Sequence, residues 1–115
     1  MKVFNYKTVK PEKADCCPEK TQIRWLITKE MGAPNFAMRL FEVAPGGHTP
    51  LHHQPYEHEI YVMEGQGTVW RDGKEVPIKP GDVLYIPADE QHQFKNAANQ
   101  TFKFMCLIPA KFQKC

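Results

Sequence analysis

Turn signals recur along this chain every 8–12 residues, and that spacing constrains its fold more than any other feature. Pro45-Gly46-Gly47, Gly65, Asp72-Gly73, Pro80-Gly81 and the Pro87 region divide residues 22–110 into short pieces. Pieces of this length suit strands and are too short for most helices. No segment carries a sustained 3.6-residue apolar period, and ten prolines with seven glycines favour many turns. The pieces read as strands at 24–28, 36–43, 59–64, 67–71, 75–78, 83–86, 92–95 and 101–108, with a weak strand at 2–9. Asp72-Gly73 between apolar runs is the strongest hairpin signal, because a tight primed turn needs positive φ at both positions. The expected class is all-β, a sandwich or barrel. One domain spans 1–115, with its core at about 22–110 and an N-terminal arm at 1–21.

Composition narrows the function. Lys+Arg total 15 against Asp+Glu 13, a net charge of +2, which lacks the basic bias of a nucleic-acid binder. No run approaches the ~20 apolar residues of a membrane helix. The first ten residues carry no apolar signal core, so the expected compartment is the cytoplasm. The cysteines, Cys16, Cys17, Cys106 and Cys115, have no CxxC spacing and read as reduced thiols. No phosphate loop or dinucleotide fingerprint is present.

Histidine is the informative residue. All five lie within 48–92, and four fall between positions 48 and 58. Such clustering points to a metal or proton-transfer site. His52 and Gln54 share a strand face, His58 opens the next apolar run, and His92 opens a later strand. Imidazoles suit Fe, Cu, Ni, Zn or Co, and a side-chain amide oxygen adds a weak hard donor. His53 points opposite to His52, and His48 reads as a surface residue.

The order of these residues resembles the cupin superfamily. Gly46, five residues, His52-His53-Gln54, three residues, His58, six residues and Gly65 follow the spacing of the first cupin motif. Gly81, five residues, Pro87-Ala88-Asp89, two residues, His92, three residues and Asn96 follow the second. The resemblance is closest to small single-domain bacterial cupins with an all-histidine metal site. It implies a double-stranded β-helix, or jelly-roll barrel. It places His52 and His92 at metal-histidine positions and His58 where the family usually has a carboxylate. Gln54 stands where the family has a second histidine. It either binds through its oxygen, orients a metal-bound water, or leaves a three-histidine site. Asp89 replaces a motif glycine in a turn, which Asp tolerates better than most residues. The implied cofactor is one divalent transition metal among Mn, Fe, Ni, Cu, Zn and Co. The implied partner is a second copy of the chain, exchanging an N-terminal strand within residues 1–30.

Alternation assigns the cavity walls. Phe94 shares the parity of His92. Phe104, Cys106 and Ile108 share the face opposite Lys103. Phe94, Phe104 and Cys106 either line the cavity or simply fill the core. Arg39 interrupts an apolar strand and either anchors an anionic substrate or faces solvent, the second being preferred. Tyr56 lies between candidate ligands and is placed at the cavity mouth. Both faces of 59–63 are apolar, which suggests a covered strand and a homodimer. The functional expectation is a metal-dependent enzyme, of oxygenase, oxidoreductase or isomerase type, acting on a small organic molecule. A neutral ligand set would leave a dication uncompensated and so favour an anion. The alternative is a non-catalytic module that binds a small molecule or a metal.

Overall fold

A computed structural model describes residues 1–13 and 20–113. Eight antiparallel strands form two sheets: β1 (Thr21–Ile27), β2 (Phe36–Val43), β3 (His58–Glu64), β4 (Gly67–Arg71), β5 (Lys74–Ile78), β6 (Val83–Ile86), β7 (Gln93–Lys95) and β8 (Phe102–Pro109). The larger sheet runs β1-β2-β8-β3-β6 and the smaller runs β5-β4-β7. This is the all-β class that the spacing of turns implied, in the double-stranded β-helix form that the resemblance implied.

The strands form where side-chain alternation commits one face to the interior. Along β8, Phe102, Phe104, Cys106 and Ile108 are buried and the residues between them are not. Burying one such aromatic contributes about 1.5–3 kcal/mol. Phe104 centres the core, with ring centroids 4.4 Å from Phe94, 5.0 Å from Phe41 and 5.2 Å from Phe102. The β4–β5 hairpin turns at Asp72 and Gly73, both at positive φ (49° and 80°). Asp89 likewise takes φ 67°.

Asn96 locks two loops to this framework. Its buried amide Nδ2 donates to the carbonyls of Val43 (2.8 Å) and Gln100 (2.7 Å), and its Oδ1 accepts from the Ala98 amide (3.0 Å). Its backbone exchanges hydrogen bonds with Gly46 and Gly47. The Pro45-Gly46-Gly47 turn that leads to the histidine segment is thereby fixed.

The arm departs from expectation. Residues 2–9 form no strand; a single 3₁₀ turn spans Tyr6–Thr8, capped by the Asn5 side chain. The arm lies instead on a charged patch of its own chain. Arg24 donates to the Val9 carbonyl (2.6 Å) and to Glu42 (2.6 Å), while Lys103 meets Glu64 (3.4 Å) and the Tyr6 hydroxyl (3.2 Å). Side-chain docking replaced ladder pairing, and the arm adds only a bridge between Glu12 and Ile23 among the described residues. Cys16, Cys17 and Cys115 lie outside the described residues.

Candidate functional site

The histidines meet because the backbone pairs their segments. His52 and His92 exchange two backbone hydrogen bonds (3.1 and 2.9 Å), so they sit opposite each other and their side chains leave on the same face. Their ring centroids are 4.9 Å apart. His58 is the first residue of β3 and pairs with Ile86 of β6. Its ring lies 5.2 Å from that of His92. Glu57 and Glu59 on either side of it are exposed, so the register turns the imidazole inward and the carboxylates outward.

These rings line a cavity together with Arg39, Phe41, Gln54, Phe94, Phe104 and Cys106. It measures about 430 Å³ with its open mouth included. Thr49, Pro50 and Ile60 complete the wall. Thr49 Oγ1 accepts from the Phe94 amide (2.9 Å) and holds β7 against the histidine segment. The sequence reading passed over Phe41 and Ile60. Their parity with Arg39 on β2 and with His58 on β3 would have found them.

Burial sets the protonation of the three rings. Desolvation, with the nearby His92 and Arg39 adding to it, pushes His52 down to about 4. Desolvation, then Arg39 and the other two imidazoles, pushes His58 down to about 3, opposed by the Tyr56 backbone. His92 is lowered by desolvation, against the opposing effect of Glu90. All three are neutral at pH 7. His92 Nδ1 donates to the Glu90 carbonyl (2.9 Å). A carbonyl only accepts, so Nδ1 carries the proton and Nε2 keeps its lone pair. His58 Nδ1 is buried without a hydrogen-bond partner.

Two residues sit elsewhere than expected. Arg39 is not solvent-facing: it is 3% exposed and its Nη2 donates to Cys106 Sγ at 3.0 Å. The cause is its face of β2, shared with Ala37, Phe41 and Val43, all buried. Tyr56 does not line the cavity. It is buried between the rings of His58 (5.1 Å) and Phe112 (4.6 Å), which makes it a backing for His58. His53 and His48 are exposed. Gln54 is half-buried in the cavity wall, and its backbone carbonyl accepts from the Asp89 amide (2.7 Å).

As the side chains are placed, the described residues contain no group of three or more His, Cys, Asp or Glu set to share one ion. What the site offers is donor chemistry: neutral imidazoles, with the His52 and His58 ring centroids 4.9 and 5.2 Å from that of His92, are the side-chain type that binds divalent transition metals.

The fold is that of a cupin. Residues 39–108 match the Cupin_2 family, described as "Cupin domain", and the chain belongs to it. It is 34% identical to an oxalate-binding protein of Thermotoga maritima, over 77% of this chain and 75% of that one. It is 28% identical to a 1-methylthio-D-xylulose 5-phosphate methylsulfurylase of Rhodospirillum rubrum, over 84% and 76%. The structure of the polyketide cyclase RemF from Streptomyces resistomycificus superposes with a TM-score of 0.89 at 35% identity, covering 96% of this chain and 80% of that one. Relatives this different in activity share the barrel and leave the reaction open.

Proposed function

We propose that this cupin is a metal-dependent enzyme of oxygenase, oxidoreductase or isomerase type, acting on a small organic molecule inside the barrel. The observation that carries the reading is the set of three neutral imidazoles, ring beside ring, on the wall of an apolar cavity. His52, His58 and His92 would hold a divalent Mn, Fe, Ni, Cu, Zn or Co, and the Gln54 oxygen is a fourth candidate donor. When bound, such an ion supplies Lewis-acid polarisation or, if redox-active, access to dioxygen chemistry. The chain's own groups prepare the site. The Glu90 carbonyl fixes the His92 tautomer, Tyr56 backs His58, and Phe94 and Phe104 keep water out.

A second reading, a non-catalytic module for a small molecule, draws support from the oxalate-binding relative. The test is turnover of a small-molecule panel, with oxygen uptake followed, by metal-reconstituted protein. An enzyme turns over at least one compound and loses that activity in His52→Ala and His92→Ala variants that remain folded. Ligand-dependent shifts in melting temperature with no turnover would establish the binding module instead.

The homodimer belongs to the same proposal. Tyr61, Val83 and Tyr85 are 45%, 75% and 62% exposed on the paired strands β3 and β6, an apolar face suited to a second copy. No helix among the described residues is long and apolar enough to cross a membrane. A cytoplasmic setting belongs to the same proposal.

A further inference from the structure

Arg39 is a buried cation with no anion beside it among the described residues. Removing a guanidinium from water costs several kcal/mol, and buried ones normally sit against a carboxylate. Among the described residues no Asp or Glu forms an ion pair with Arg39. The rest of the cavity wall is apolar, hydroxyl, amide, thiol or imidazole. The one hydrogen bond from Arg39 goes to Cys106 Sγ. Burial pushes that thiol's pKa up, so the sulfur accepts as a neutral group and cancels no charge. Arg39 Nε is buried without any partner. The three imidazoles supply no anion either.

The neighbours of Arg39 define the shape of the missing partner. The Phe41 and Trp25 rings lie 4.9 and 5.6 Å from the guanidinium carbon. Ring faces satisfy the flat sides of a guanidinium and leave its N–H edge for hydrogen bonding. The complement of that edge is a planar pair of oxygens sharing one negative charge, which is a carboxylate. A phosphate dianion can present a similar pair of oxygens but carries more charge than the single cation offsets.

We infer that Arg39 is the receptor for the carboxylate of a small, flat organic acid. The acid lies with its carboxylate against the guanidinium edge, its body among Phe94, Phe104 and Ile60, and its far end at the histidines. This deepens the functional proposal and rests on it only in taking the histidine cavity as the binding site. No covalent step is involved.

The test is calorimetric titration of full-length, metal-free protein with acrylate and benzoate, against their neutral isosteres acrylamide and benzamide. Inorganic phosphate serves as a competitor. Wild type should bind at least one acid tenfold or more tighter than its amide. Arg39→Met should erase that preference. It should melt no lower than wild type without ligand, because it removes an uncompensated buried charge. Arg39→Lys keeps the charge but not the planar edge, and should weaken the acid at least fivefold; it also serves if Arg39→Met fails to fold. Equal binding of acid and amide by wild type, a preference retained in Arg39→Met, or phosphate competing as well as a carboxylate would each overturn the inference. Metal uptake by wild type, measured alongside, separates the two proposals. Acid preference in wild type that takes up no metal upholds Arg39 and sinks the metal reading. Metal uptake without acid preference does the reverse.

Discussion

Acidifying the metal-free protein from pH 7 to pH 5 should destabilise it through His58. In the folded chain this imidazole is pushed down to about 3, whereas its ordinary value is 6.5. Between those values the unfolded chain binds a proton that the folded chain refuses. Stability is therefore complete above about pH 6.5 and is lost as pH falls toward the folded value. From pH 6.5 to 5, at ~1.4 kcal/mol per pH unit, His58 alone removes about 2 kcal/mol. His52, held near 4, acts in the same direction. It is only half-buried, so solvent screening reduces its share to about 1 kcal/mol or less. Side-chain carboxyls titrate mostly below ~4.5 and add little in this window. The assay is urea unfolding followed by tryptophan fluorescence in chelator-containing buffers, for wild type and His58→Gln, at pH 7, 6 and 5. Wild type should lose about 2–3 kcal/mol, and the variant about 2 kcal/mol less. Equal stability of wild type at pH 7 and pH 5, or the same loss in both proteins, refutes the neutral, desolvated imidazole.

Other substitutions probe the framework that holds the site. Asn96→Ala removes the donors to the Val43 and Gln100 carbonyls and should cost about 2–4 kcal/mol in chemical denaturation. A cost under about 0.5 kcal/mol would show those loops to be held otherwise. Gly65→Ala places a methyl group against the Thr101 carbonyl at φ +71°, and should destabilise by more than about 2 kcal/mol. Gly73→Ala, at φ +80° in open space, should cost only about 1 kcal/mol, and thermal melts that reverse this order would count against the turn geometry. Phe104→Ala should cost about 3–5 kcal/mol, since three aromatic neighbours lose their common contact.

The strands were legible because alternation and turn chemistry are local. Asp72-Gly73 announced its hairpin, and the alternation of 102–108 announced its buried face. The arm was not legible. Its conformation follows from Arg24, held by Glu42, and from Lys103, which reach it from β1 and β8. The histidine spacing suggested a shared wall, but the direct pairing of His52 with His92 spans 40 positions and depends on how the sheets close. For Arg39 the sequence left a pocket position and a solvent-facing one both open, and the structure takes the first. A charged residue in a strand reads by default as solvent-facing, yet Ala37, Phe41 and Val43 share its parity and marked that face as interior. Tyr56 is expected at the cavity mouth but packs behind His58, because its other neighbour, Phe112, comes from the C-terminal end of the chain.

The claim on which the functional reading depends is that His52, His58 and His92 hold one cation. The most direct check is elemental analysis of tag-free protein at pH 7.5, as purified and after reconstitution with each divalent ion in turn, beside a His52→Ala/His58→Ala/His92→Ala variant. The account predicts about one transition-metal ion per folded wild-type chain and almost none in the variant. Wild type that retains no ion under any of these conditions, or a variant that retains as much as wild type, would contradict it.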